Sequence, residues 1–213
     1  MNQPQPLAWC LPASSSIARI LLALPPDLTA PDPEITAWYS DAGNRILLTA
    51  GLSLSIVAAV SFLWFIAVIR RRIGDREDRF FATVFLGSGI ILTVLMLVGA
   101  ASIASTAVTV DLADGHVPDV DVLRALTGLG MTLLILVLVR VQAVFIVSAS
   151  TLALRTGSFS RWLSYFGYGM ALWMFFLPLL IEPLRLGFPI WVATLSVALL
   201  VRRDDLIPDD EPA

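Results

Sequence analysis

Long apolar runs, broken by arginine clusters and acidic turns, constrain this chain more than any other feature. Taken in order they lie at about 46–69, 80–106, 125–154, 162–181 and 184–201. A run of about 20 apolar residues is long enough, as a helix, to cross the roughly 30 Å of hydrocarbon in a bilayer. A helix also bonds its own N–H and C=O groups, which lipid cannot do. The expected fold class is therefore all-α, an integral membrane helical bundle. It has about five transmembrane helices, or four plus a short or kinked fifth.

Composition supports this reading. Apolar residues make up 57% of the 213 residues and charged ones 15%, with a mean hydropathy of +0.83. Soluble domains run at about 45–50% and about 25%. No stretch is left for a sizeable soluble domain, so the core must be helix packed on helix. All 14 basic residues are arginine. A GC-rich genome accounts for that plainly; guanidinium binding of phosphate headgroups is the functional alternative. A net charge of −3 gives no support to nucleic-acid binding. Cys10 is the lone cysteine, which excludes an internal disulfide and a thiolate metal site. Trp9 and the lack of upstream basic residues argue against a lipoprotein or signal-peptide start.

Residues 1–45 read as an irregular tail rich in proline, with a short amphipathic helix over 14–24. Ile17, Ile20, Leu21 and Leu24 would share its apolar face, suited to a membrane surface. In the first span, Gly51, Ser55 and Ala59 recur every fourth residue and make one side small enough for close helix contact. Ala100–Ala104 and Ala101–Ser105 form a second such seam. Packing within the chain is the plain reading of both seams; a homo-oligomer or a membrane-protein partner is the alternative.

The loop between the first two spans holds Arg70, Arg71, Arg72, Arg76 and Arg79. Arginines in a short loop mark the cytoplasmic side. Gly74 suits a helix end and Asp75 the start of the next helix. The surrounding stretch, FLWFIAVIRRRIGDREDRFFATVFLGSG over 62–89, resembles small uncharacterised polytopic membrane proteins of actinobacteria. That resemblance implies a multi-pass protein of the bacterial cytoplasmic (inner) membrane. It implies no activity and brings no catalytic residue with it.

Arg155, Arg161, Arg202 and Arg203 join the five loop arginines on one side. Arg19, Arg45, Arg124 and Arg185 fall on the other. With five spans the amino terminus is outside, and the carboxyl terminus, with an acidic 204–213 tail, is cytoplasmic. The 111–124 loop then faces outward. It holds His116 among Asp111, Asp114, Asp119 and Asp121, but a single imidazole and no EF-hand spacing favour a solvated loop over a metal site. Pro178 predicts a kink in the fourth span. The fifth is short, and it starts near Pro183, kinks at Pro189 or fails to cross cleanly.

Arg140 carries the largest energetic anomaly, because it falls near the middle of the third span. An arginine there costs about 2.5–3.5 kcal/mol on insertion scales, so it must snorkel, meet water or find a partner. The candidate polar site is Arg140, Glu182 and Gln142. Antiparallel packing of spans three and four puts Arg140 level with about Phe176, with Glu182 roughly 9 Å further out. Gln142 lies about 200° around the helix from Arg140. No HExxH, GxSxG, phosphate loop or carboxylate dyad is present, so no catalytic residue, cofactor or metal is expected. Two readings follow. One is a non-catalytic accessory or interaction protein. The other is a lipid- or small-anion-binding or transport protein using Arg140. Membrane lipid is the expected partner in either case.

Overall fold

A computed structural model describes residues 25–73, 79–156, 161–176 and 187–204. Every regular element among them is helical. They are α1 (Asp32–Ser40), α2 (Ala42–Ile73), α3 (Arg79–Leu112), α4 (Val120–Met131), a π-helical segment (Thr132–Val137), α5 (Leu138–Thr156), α6 (Arg161–Phe176) and α7 (Gly187–Asp204). Three helical stretches are long and apolar enough to cross a membrane: Ala42–Arg71, Phe80–Leu112 and Val120–Arg155. The protein is an all-α, membrane-embedded chain.

The helices overrun the expected spans. α2 begins at Ala42 rather than Ile46, and α3 continues past residue 106 to Leu112. The third helix begins at Val120 rather than Ala125, because Asp119 caps it by accepting a hydrogen bond from the Asp121 N–H at 3.0 Å. The 111–124 loop thereby shrinks to 113–119. Within it Asp114 takes a left-handed φ of 53°, and the Gly115 N–H returns to the Val110 carbonyl at 2.9 Å, closing α3. α6 runs over Arg161–Phe176, and the last part of the fourth span expected over 162–181 lies outside the described residues. Pro189 stands in the first turn of α7, where its missing N–H breaks no helical bond. The expected helix over 14–24, the Gly74, Asp75 and Arg76 turn, the Pro178 kink, Glu182 and the end of the acidic tail lie outside the described residues. Arg70 and Arg71 lie exposed in the last turn of α2, whose backbone continues through Arg72; Arg79 opens α3.

The residues fall into two compact units, one from 1–58 and 97–133, the other from 59–96 and 134–213. In the first, part of the stretch read as an irregular tail is helix α1. Pro33 and the acidic Asp32 and Glu34 in its first turn suit a helix start. Two arginines hold it. Arg45 donates to the carbonyls of Tyr39 and Ser40, at 2.9 and 2.8 Å, and pairs with Asp111 at 2.6 Å. A cation at those carbonyls opposes the negative end of the helix dipole. Arg124 gathers the carbonyls of Leu28 and Ala30, at 3.0 and 2.8 Å, and the Asp32 carboxylate at 2.8 Å. Between them the buried Tyr39 hydroxyl meets Thr127 Oγ1 at 3.1 Å. Of the acidic residues near His116, Asp111 and Asp121 thus pair with arginines and Asp119 caps a helix. No group of three His, Cys, Asp or Glu suited to a metal occurs among the described residues.

In the second unit Phe145 on α5 is the hub. Its ring lies 4.8 Å from Phe85 (α3), 5.3 Å from Phe62 (α2), 6.1 Å from Phe188 and 6.2 Å from Trp191 (both α7). Four helices thus meet on one fully buried side chain. Gly89 makes room for it: a Cβ there would sit 3.2 Å from the Phe145 ring and 2.5 Å from Ile66 Cδ1.

Two stability outcomes follow. Phe145→Ala is expected to cost about 3–5 kcal/mol, read by equilibrium unfolding in mixed detergent; an unchanged midpoint would remove the hub role. Arg45→Ala exposes two carbonyls and Asp111 at once. It should lower stability by about 1–3 kcal/mol and open residues 25–41 to limited proteolysis. Wild-type resistance to cleavage would count against the clamp.

Candidate functional site

Arg140 stands three residues after the π-helical segment. A π-helical turn carries an extra residue, so the facing of α5 cannot be projected from α4 by an α-helical wheel. Arg140 emerges half-buried, and its guanidinium Nη1 donates to the Leu136 carbonyl on its own chain at 2.6 Å. The side chain runs back toward the start of its helix, as helical side chains do. A backbone carbonyl is thus one partner of this arginine. Among the described residues no carboxylate pairs with it, and a guanidinium has five N–H donors. Its one hydrogen bond among the described residues is thus to the backbone of its own chain.

Around it lies a groove of about 270 Å³ lined by Leu136, Val137, Arg140, Val141, Val144 and Phe175. Gln142 is half-buried but is not part of this lining, in keeping with its position about 200° around the helix. Phe175 sits beside Arg140, within a residue of the level that the antiparallel arrangement predicts.

Val144 and Phe175 also line a larger apolar groove of about 500 Å³. It runs past Val147 and Ser148 to Tyr168, Phe80 and Phe81. From Leu136 to Ser148 the distance is about 18 Å at 1.5 Å per residue. α5 forms the floor, α6 and the first turns of α3 the walls. Tyr168 is fixed by a 2.7 Å hydrogen bond with Thr151 Oγ1, which ties α6 to α5. At the far end Arg155 stands over the Phe81 ring, 4.6 Å from its centroid, a cation–π contact. The site is a long apolar trough adjoined at one end by the Arg140 groove. The trough escaped sequence reasoning because its wall residues, such as Phe81, Val147 and Leu172, read as ordinary span residues. Only their alignment across three helices makes them a groove.

Each small-residue seam is covered in part. In the second, Ala104 is buried but Ala101 is exposed, and the neighbouring Ser102 Oγ donates to the Leu126 carbonyl at 2.9 Å. In the first, Ala59 is buried but a Cβ on Gly51 would meet nothing within 4 Å.

Compared with known proteins, the chain matches no family model, and neither a curated protein nor a solved structure is similar to it.

If the groove is a real trough, Val147→Trp should fill it without touching the Phe145 hub. Hydrophobic-dye or spin-labelled fatty-acid binding to purified protein is expected to fall several-fold while the unfolding midpoint holds. Unchanged binding would place the probe elsewhere.

Proposed function

We propose that this protein is a non-catalytic, multi-pass protein of a bacterial inner membrane that binds an amphiphile with an anionic head. The observation that carries the reading is the guanidinium of Arg140 in a groove of about 270 Å³ that shares Val144 and Phe175 with the 500 Å³ apolar trough. A buried or half-buried arginine is expensive in lipid, and a phosphate or carboxylate head offsets that cost with charge-assisted hydrogen bonds. An acyl chain fits the apolar trough, where exposed residues such as Phe80 and Leu172 would otherwise face neighbouring lipid. Orientation follows the arginine bias, with the amino terminus outside and the carboxyl terminus cytoplasmic. Kinship with small actinobacterial membrane proteins belongs to the same proposal and rests on the 62–89 stretch.

A second reading, an accessory protein docked on another membrane protein, has one observation in its favour. Of the three candidate spans, α2 is the least covered, with 17% of its central window buried against 33% for each of the others. Trp64 and the open Gly51 lie on this helix.

Purification in a mild detergent, with mass spectrometry of retained lipids and proteins, distinguishes the two. The proposal expects about one anionic amphiphile per chain. Arg140→Ala should weaken its retention about tenfold, because a charge-assisted hydrogen bond is worth about 1.5–3 kcal/mol. An identical lipid complement in Arg140→Ala, or an Arg140→Leu protein that is more stable with retention unchanged, overturns it. A stoichiometric protein partner without retained lipid supports the second reading.

A further inference from the structure

Away from the trough, the second unit buries three polar atoms that have no partner: Ser150 Oγ on α5, Ser164 Oγ on α6 and Trp191 Nε1 on α7. The residues are 3%, 2% and 2% exposed. All three line one small cavity, walled otherwise by apolar groups such as Ile69, Leu163 and Leu195. Gly167 completes the cradle. A Cβ there would collide with Ser150 Oγ and come within 3.1 Å of Trp191 Nε1, so both atoms converge on the space that glycine leaves.

The serine behaviour is distinctive. Hydroxyls on apolar helices commonly bond back to the preceding turn, and neighbours here do so. Ser148 donates to the Val144 carbonyl at 2.7 Å, Thr151 to Val147 at 2.8 Å and Ser196 to Val192 at 2.8 Å. Ser150 and Ser164 forgo that bond and line the cavity instead. An indole N–H can only donate, and a buried polar group without a partner is costly, most of all where no bulk water is near. Their ligand must therefore accept from Trp191 and exchange hydrogen bonds with two hydroxyls.

Size decides what it is. The cavity leaves about 10 Å³ open to the centre of a water-sized sphere, which matches the roughly 10–15 Å³ that one water needs. Three polar partners fall within the usual two to four of a buried water. We propose that Ser150, Ser164 and Trp191 form a binding site for a single structural water, which joins α5, α6 and α7. The water accepts the Trp191 N–H and bridges the two hydroxyls. It gives three apolar helices a shared polar contact that none of the three side chains makes directly.

A crystal structure of the full chain in a lipidic phase, at a resolution that shows ordered solvent, tests this. A single solvent peak within hydrogen-bond distance of Ser150 Oγ, Ser164 Oγ and Trp191 Nε1 is expected. Its loss is expected in the double variant Ser150→Ala with Gly167→Ala, where a methyl group occupies the space. A direct Trp191–serine hydrogen bond with no solvent peak, or an empty cavity with both serines bonded back to their own helices, overturns the site. The wild-type structure decides the matter by itself, so the outcome does not depend on the double variant folding.

Discussion

Hydrocarbon offers no partner to a peptide N–H or C=O, and the rest of this structure depends on that constraint. It makes each apolar run a helix and carries the helices past the last apolar residue, until a cap or turn can take over the terminal groups. Asp119 does this for α4, and the left-handed Asp114 with Gly115 does it for α3. Lipid also removes most of the hydrophobic drive between helices, since a helix is as well solvated by acyl chains as by another helix. Association then rests on close packing and on the few polar groups. Phe145 with its four aromatic neighbours supplies the first in one unit. Arg45 and Arg124 supply the second in the other.

Polar side chains in such a protein are accordingly informative. Most are explained within the chain: hydroxyls bond back to the preceding turn, and the arginines of the first unit cap and gather carbonyls. Two sets resist that explanation. Arg140 satisfies one donor on its own chain and lines an apolar groove. The Ser150, Ser164 and Trp191 group is buried and lines a cavity of water size. The two differ in accessibility, and the chemistry follows from that. An open trough beside a cation suits an exchangeable amphiphile; a small buried cavity suits a structural water.

Much of the architecture was legible because the signals are local. Apolar run length marked the three long helices, and antiparallel packing put Arg140 within a residue of its observed neighbour Phe175. Helix ends were less legible. Val120–Arg124 reads as polar loop, yet Asp119 caps a helix that begins there. Residues 32–40 lie in a proline-rich tail, yet Arg124 and Arg45 gather the carbonyls before and at the end of α1. The Arg124 contacts join residues some 90 positions apart, and no local pattern encodes them.

The stretch over 62–89 shows where this division falls. Its arginines and turn residues can be read for orientation directly, while Phe62, Phe85 and Gly89 read only as span residues. Tertiary structure makes those three the partners of Phe145. By itself the sequence determined that the chain is helical and membrane-embedded, because backbone bonding in lipid depends only on run length and polarity. The trough, the water-sized pocket and the surroundings of Arg140 were decided by tertiary structure alone. Each is a space between helices, and its shape depends on which side chains from distant segments come to face one another.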